Sequence, residues 1–306
     1  MPSVLSRLGW ALVTLLGTSL IVFTMAKMIP ADPVAAMVGP RADAETRERI
    51  ARQLGLRDPF WVQYGRYVRN ALHGDLGRSS VTNESVADAI RTRFPTTLWL
   101  ALGGLAWWLV IGIPVGVFTA RWRNSRLDRT VLVLAMVAVS IPTFWLGRVL
   151  QFDLAYRRGL FPVAGFASWQ HLLLPSFTLG VVGVGYYARL VHSNMVEVLN
   201  QDYVRCARAK GVSEPRLLFR HALPNALLPV LTVLGMDVAA LLGGVVFTEA
   251  IFALPGIGML ALHAVLKLDV PMIMGTVLFA AAMVVGANIA VDLVYRLLDP
   301  RIRSSV

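Results

Sequence analysis

The sequence predicts an all-α polytopic membrane protein. Six transmembrane helices are expected, with an external helical segment between the first and second. Three observations carry this. The chain has 306 residues, 56% of them hydrophobic and only 15% charged, where soluble chains carry about 25%. Stretches without Asp, Glu, Lys or Arg run over 8–26, 94–120, 130–147, 159–188 and 270–291, and 221–248 is interrupted only by Asp237. These runs suit helices of about 20 residues, each satisfying its own backbone polar groups. A β-barrel would instead alternate apolar and polar residues in segments of about 10.

The first span, about 8–29, follows Arg7. Its apolar run is longer than that of a cleaved signal and no small-residue cleavage site ends it, so it reads as a retained anchor. Residues 30–95 form the external segment. Asp58 reads as an N-cap with Pro59 as the first helical residue, and Trp61, Tyr64, Val68 and Leu72 follow at helical spacing. Gly74, Asp75, Leu76 and Gly77 form a turn, and the stripe Val86, Ile90 and Phe94 leads into the second span. The favoured reading of this segment is a cap over the outer mouth. The alternative is a helix lying on the lipid surface.

The second span, 96–120, carries Gly112 and Gly116 across Pro114, a pair that favours close helix approach. The third is placed at 130–155 and the fourth at 172–192. GVGYY at 183–187 lies within the fourth and reads as helix packing rather than an ion filter. The fifth is placed at 226–249 and the sixth at 273–296. The membrane core is thus 96–306, after an N-terminal helix at 1–29 and the external segment at 30–95.

The net charge is +11, from 29 Lys+Arg against 18 Asp+Glu. A basic soluble protein would suggest nucleic acid; a basic and strongly apolar one suggests cytoplasmic loops, and no nucleic-acid partner is expected. Arg121, Arg123, Arg126 and Arg129 mark one such loop. Arg189, Arg205, Arg208, Lys210, Arg216 and Arg220 mark another, and Arg296, Arg301 and Arg303 the tail. The external segment holds ten Arg, but eight acids nearly cancel them. Both termini are expected in the cytoplasm of a prokaryotic cell, with the chain in its inner membrane. The single Cys206 rules out an intramolecular disulfide, and the five His form no H-E-x-x-H pattern, so no metal site is expected. No G-x-S-x-G elbow suggests a hydrolase.

The most informative stretch is Tyr203 to Pro229, YVRCARAKGVSEPRLLFRHALPNALLP. A helix reaching Ala209 would stop at Gly211 in the left-handed conformation. Ser213 would cap a second short helix with Pro215 in its first turn, and Pro224 would end it. Leu217, Leu218, His221 and Ala222 share one face of that helix. Physics alone leaves two readings open: insertion into a partner's groove, or an interfacial helix holding acidic lipid heads.

These residues resemble the EAA loop of ATP-binding-cassette (ABC) importer permeases, which reads E-A-A, three residues, Gly, nine residues, Ile-x-Leu-Pro. Arg205, Cys206 and Ala207 stand at the E-A-A positions, Gly211 at the glycine, His221 at the Ile, and Leu223 and Pro224 at the Leu-Pro. Arg205, Cys206 and His221 depart from the general pattern but suit the peptide/nickel branch. GDLGRS at 74–79, EAIFALPGIG at 249–258 and VDLVYRLLDPRIR at 291–303 are similar to that branch too. The large external segment resembles the dipeptide permease B-type subunit.

The resemblance implies a type I importer fold and a coupling loop at 203–224 that docks in a groove of a separate ATPase subunit. Arg208 and Lys210 would make polar docking contacts, and Leu217, Leu218 and Leu223 would be apolar anchors. Tyr203, Arg205, Ala207, Gly211, Arg220, His221 and Pro224 complete the loop. Without a G-x-x-x-x-G-K-[ST] phosphate cradle, the chain binds no cofactor of its own. ATP and Mg would be used by two partner ATPases. A second homologous permease and an extracytoplasmic binding protein would complete the assembly, and the substrate would be a di- or oligopeptide. Nickel, glutathione and haem-type compounds are alternatives within the branch, and a stand-alone secondary transporter is the alternative from another class.

Within the spans, Asp237 is a costly charge. It is expected to line the substrate path, or to pair with Arg148 or Arg189. Asn288 and Asp292 share one face of the sixth span. Glu249, Phe252, Pro255 and Gly256 are expected to shape a re-entrant turn at the outer mouth and to contribute to an outer gate.

Overall fold

The computed structural model describes residues 4–28, 43–53 and 55–298. Residues 29–42, Arg301 and Arg303 lie outside the described residues, as do the side chains of Asp292 and Arg296. Among the described residues there is no strand, only an isolated antiparallel bridge between Arg78 and Ser85.

Helix α1 is Val4–Met28. The segment after it contains α2 (Ala44–Gln53) and α3 (Phe60–Leu72). Then come α4 (Val86–Arg121), α5 (Arg126–Ser140), α6 (Thr143–Arg157) and α7 (Gln170–Leu199). The loop helix α8 is Asp202–Ala209. It is followed by α9 (Glu214–Leu242), α10 (Val246–Ile251), α11 (Ile257–Leu266) and α12 (Val270–Leu298). Five of these are long and apolar enough to cross a membrane, giving six crossings if the bent pair α5–α6 counts as one.

Helix α7 is the hub, packing against α4, α5 and α9; α12 packs on α9, and α1 lies outermost against α12. Small residues allow the closest approach. A Cβ on Gly116 would sit 2.6 Å from the Ala188 carbonyl oxygen and 2.7 Å from Val191 Cβ, and one on Gly112 would sit 3.0 Å from Tyr187 Cβ. The Gly112/Gly116 pair therefore packs on α7 as its spacing predicts. Gly183 and Gly185 are buried against Trp108 and the α5 backbone, which gives GVGYY its packing role.

Prolines explain where the predicted spans went wrong. The third span is not one helix: α5 and α6 meet at 94°. Ile141, before Pro142, is extended at φ −76°, ψ 123°, the conformation that a following proline ring favours. Elsewhere helices run through prolines. Pro114 and Pro224 each follow a π-helical turn, Trp108–Gly112 and Leu217–Ala222. In each case the carbonyl that the ring would strike, on Val110 or Arg220, lies inside that wider turn. Pro224 therefore does not end a short helix, and α9 is continuous from the loop into the span.

Other boundaries also shift. Helix α4 begins at Val86, capped by Ser85 Oγ accepting from the Asp88 N–H, so the second span grows out of the segment predicted to be external. The fifth span ends at Leu242, where Gly243 and Gly244 lead out of the helix and Gly244 has φ +116°. Pro59, with φ −54° and ψ 148°, is the N-cap of α3 in place of Asp58. Helix α3 crosses α1 at Phe23, whose ring meets those of Phe60, Tyr64 and Tyr67. Ser79 and the Ser80 N–H meanwhile bind the Asp269 carboxylate between α11 and α12.

Candidate functional site

The 203–224 loop is a rigid corner. The Gly211 N–H donates to Arg208 O at 3.0 Å and the Val212 N–H to Ala207 O at 3.2 Å, with Gly211 at φ +78°. This is a Schellman turn, and the left-handed residue it requires is the glycine. The chain then enters α9 at once, with the Leu217 N–H on Ser213 O at 2.9 Å. Ser213 occupies the N-cap without a side-chain capping bond, and Pro215 sits in the first turn.

Glu214 holds this corner, as an acid at a helix N-terminus can. Arg208 Nε donates to its Oε1 at 2.9 Å, and Arg121 Nε forms an ion pair with Oε2 at 3.2 Å. Arg121 is the last residue of α4, so one carboxylate ties α8, α9 and α4 together. Phe219 adds a ring contact to Phe118 at 6.4 Å. From the other side, Asn225 Nδ2 donates to the Tyr203 hydroxyl at 2.9 Å and to His221 O at 3.1 Å.

The predicted docking residues separate into two sets. Leu217 and Leu218 are buried in the chain's own core and Leu223 packs against it, so they attach the loop to the spans and are not free to anchor a partner. Arg208 is engaged by Glu214. Tyr203, Arg205, Lys210, Gly211, Arg220 and Pro224 are exposed, while Ala207 and His221 are half-buried. Sequence reading missed Glu214, Phe219 and Asn225. The acid at the second helix's start was the one signal for Glu214; nothing in the spacing marks the others.

Asp237, on α9, accepts the hydroxyl of Tyr187 at 2.7 Å. Tyr187 is fully buried on α7, stacked on Trp108, whose Nε1 donates to Leu179 O at 2.9 Å. The expected pairing with arginine does not form: Arg148 instead donates to Gln151 Oε1 at 3.0 Å, and Arg189 is exposed.

At the opposite end from the loop, α10 and α11 form a helical hairpin around Glu249. This carboxylate is fully buried. Thr97, on α4, donates to its Oε1 at 2.7 Å and accepts the Ile257 N–H at 2.8 Å; the Met259 N–H donates to Oε2 at 2.8 Å. Gly256 is buried where a Cβ would strike this carboxylate. Phe252 is 2% exposed and its carbonyl accepts the Gly165 N–H at 2.8 Å. Pro255 is exposed at the tip. A recess of about 420 Å³ opens beside the hairpin, lined by Pro255 and Gly256 together with Glu84, Arg93, His263 and Lys267.

Two family models match the chain. Residues 112–304 match the binding-protein-dependent transport system inner membrane component, and residues 2–101 match the N-terminal model of such membrane components. The glutathione transport system permease protein GsiC of Escherichia coli (strain K12) is 39% identical over 300 residues, 98% of each chain. Those of Shigella dysenteriae serotype 1 and Salmonella paratyphi A match to the same extent. Among solved structures, inward-facing forms of the MetNI methionine ABC transporter share the fold. One has TM-score 0.59 at 22% identity, covering 69% of this chain and 96% of the other.

Proposed function

Because this chain belongs to the family of binding-protein-dependent transport system inner membrane components, we propose that it forms half of the translocation pathway for a short peptide and takes its drive through the 203–224 loop. It is a multi-pass inner-membrane permease subunit of an ABC importer and catalyses no bond chemistry. Family membership sets aside the stand-alone secondary transporter. In our reading a second permease completes the path, two ATPases use ATP and Mg at the loop face, and an extracytoplasmic binding protein delivers substrate at the hairpin face. Both termini lie in the cytoplasm, on the side of the arginine-rich 121–129 and 203–224 loops.

The observation that carries the coupling role is the continuity of α9 with the loop. The helix runs without a break from the Gly211 corner to Asp237, and Glu214 links the same corner to α4. A displacement of α8 by an ATPase therefore moves α9 and α4 together against α7, which biases the pathway between its two openings. On the opposite side, the α10–α11 hairpin acts as the outer gate. Glu249 latches it to α4, and Phe252 anchors it in the core.

For the substrate, relatives named for glutathione transport favour a short, carboxylate-bearing peptide of that kind over a general dipeptide. Nickel and haem-type compounds have no comparable support. The test is uptake in vesicles with ATP on the loop side and the cognate binding protein on the other. Labelled glutathione, a dipeptide and nickel would be compared, with ion gradients collapsed. Glutathione uptake that needs ATP supports the proposal; selective dipeptide or nickel uptake replaces the substrate reading. Uptake without ATP refutes the coupling.

A further inference from the structure

Helix α3 is amphipathic in a way that α1 satisfies only in part. At about 100° per residue, Phe60, Tyr64 and Tyr67 face α1. The Tyr64 hydroxyl contacts Ser19 Oγ at 2.9 Å and Leu16 O at 3.1 Å, and Gln63 meets Lys27. The next flank of the same apolar arc, Trp61 and Leu72, has no such contact with α1 among the described residues: Trp61, whose ring meets Phe60 and Tyr64 of its own helix, is 68% and Leu72 79% exposed. Arg69 and Asn70 lie on the polar side, both exposed.

The position of α3 identifies what covers this flank. Helix α1 spans the membrane over Gly9–Met28, and α3 crosses it at Phe23. At about 1.5 Å per residue the contacts of α3 on α1 run from Lys27, about 2 Å inside the Met28 end, to Leu16, about 18 Å inside it, with the ring contacts centred on Phe23 at about 8 Å. Helices of the membrane interface sit about 5–10 Å into the boundary between headgroups and acyl chains. The exposed surface of α1 on the same face as Phe23 is apolar too, including Leu12, Val13 and Leu16. The flank of α3 thus continues the lipid-facing surface of a transmembrane helix.

We propose that α3 is an interfacial helix of the leaflet on that side. Trp61 and Leu72 are immersed among lipid, and Arg69 is directed toward phosphate headgroups. The helix then fixes residues 60–72 beside α1 at the rim of the subunit, while residues 79–84 of the same segment stay by the hairpin.

Site-directed spin labelling tests this in the assembled transporter, reconstituted in vesicles of phosphatidylethanolamine and phosphatidylglycerol. The sole cysteine is first removed by Cys206→Ser, and labels are placed through Trp61→Cys, Leu72→Cys and Arg69→Cys in separate proteins. Labels at 61 and 72 should relax several-fold more with oxygen than with a water-soluble nickel chelate, relative to the label at 69. Equal nickel access at all three positions would put the flank in water and overturn the proposal. Labels at 61 and 72 shielded from both reagents would mean a protein covers the flank, which also overturns it. If Trp61→Cys does not assemble, Leu72→Cys against Arg69→Cys decides.

Discussion

Replacing Gly211 separates backbone conformation from contact, because a Cβ at this position would meet nothing within 4 Å. The whole cost of a side chain there comes from holding φ at +78°. For an ordinary L-residue that cost is about 1–2 kcal/mol, while Asn visits this region readily. The strain weighs only on the conformer with the Schellman corner, the one in which the proposed docking residues Lys210 and Arg205 flank it. A cost of about 1–2 kcal/mol is at most a roughly five- to thirtyfold loss of affinity, reached where the strained corner opens in the free protein. Gly211→Ala should therefore weaken binding of the ATPase subunit by up to that factor, and Gly211→Val by more, because branching at Cβ adds crowding. Gly211→Asn should stay near the parent. Titration of purified permease with the ATPase subunit measures affinity, and substrate-stimulated ATP hydrolysis in vesicles measures coupling. The Val variant should insert normally, bind weakly and fail to transport. Normal stimulated hydrolysis in Gly211→Val, or Asn and Val behaving alike, would refute the argument.

Glu214→Ala releases both Arg208 and Arg121, and should lower stimulated ATPase activity severalfold with membrane insertion unchanged; hydrolysis assays beside membrane-fraction blots check it. Gly116→Val drives a branched side chain into Ala188 and Val191, and overpacking of this kind costs about 1–3 kcal/mol or more, so thermal unfolding in detergent should shift downward. Tyr187→Phe removes the donor to Asp237, worth about 1.5–3 kcal/mol for a charged acceptor, and should lower the melting temperature. Asp237→Asn keeps an acceptor and should preserve that temperature while reducing uptake if the residue lines the path; unchanged uptake would give Asp237 a purely structural role. Phe252→Ala removes the buried anchor of the hairpin and should accelerate solute leak from proteoliposomes, whereas an unchanged leak would count against a gate there.

Much of this architecture was legible because a bilayer permits so few backbone solutions. Uninterrupted apolar runs marked the spans, Gly112 and Gly116 marked the tightest helix contact, and Gly211 marked the corner. Proline was the main source of error. Pro142 breaks its helix, Pro114 and Pro224 follow π turns, and Pro95, Pro175 and Pro229 sit inside α-helices, outcomes that no spacing rule announces. Long-range pairs were also hidden: Tyr187 with Asp237, Thr97 with Glu249 and Glu214 with Arg121 join residues far apart in sequence. Opposite charge suggested arginine for Asp237, yet a buried tyrosine on the facing helix supplies the partner. Leu217 and Leu218 looked like docking anchors because an apolar helix face does not reveal whether its own chain or another will cover it.

The π turn at Leu217–Ala222 gives α9 a sensitivity to chain length that its composition does not suggest. Such a turn amounts to one residue inserted into an α-helix. Deleting a single residue there would leave an unbroken, equally apolar helix, yet rotate everything beyond it by about 100°. Asp237 would swing off Tyr187, and the Gly211 corner would point in a new direction relative to the span. In this stretch an in-frame deletion of one codon should be far more damaging than most substitutions, since it alters the phase between the Gly211 corner and the rest of the span while leaving the hydropathy almost untouched.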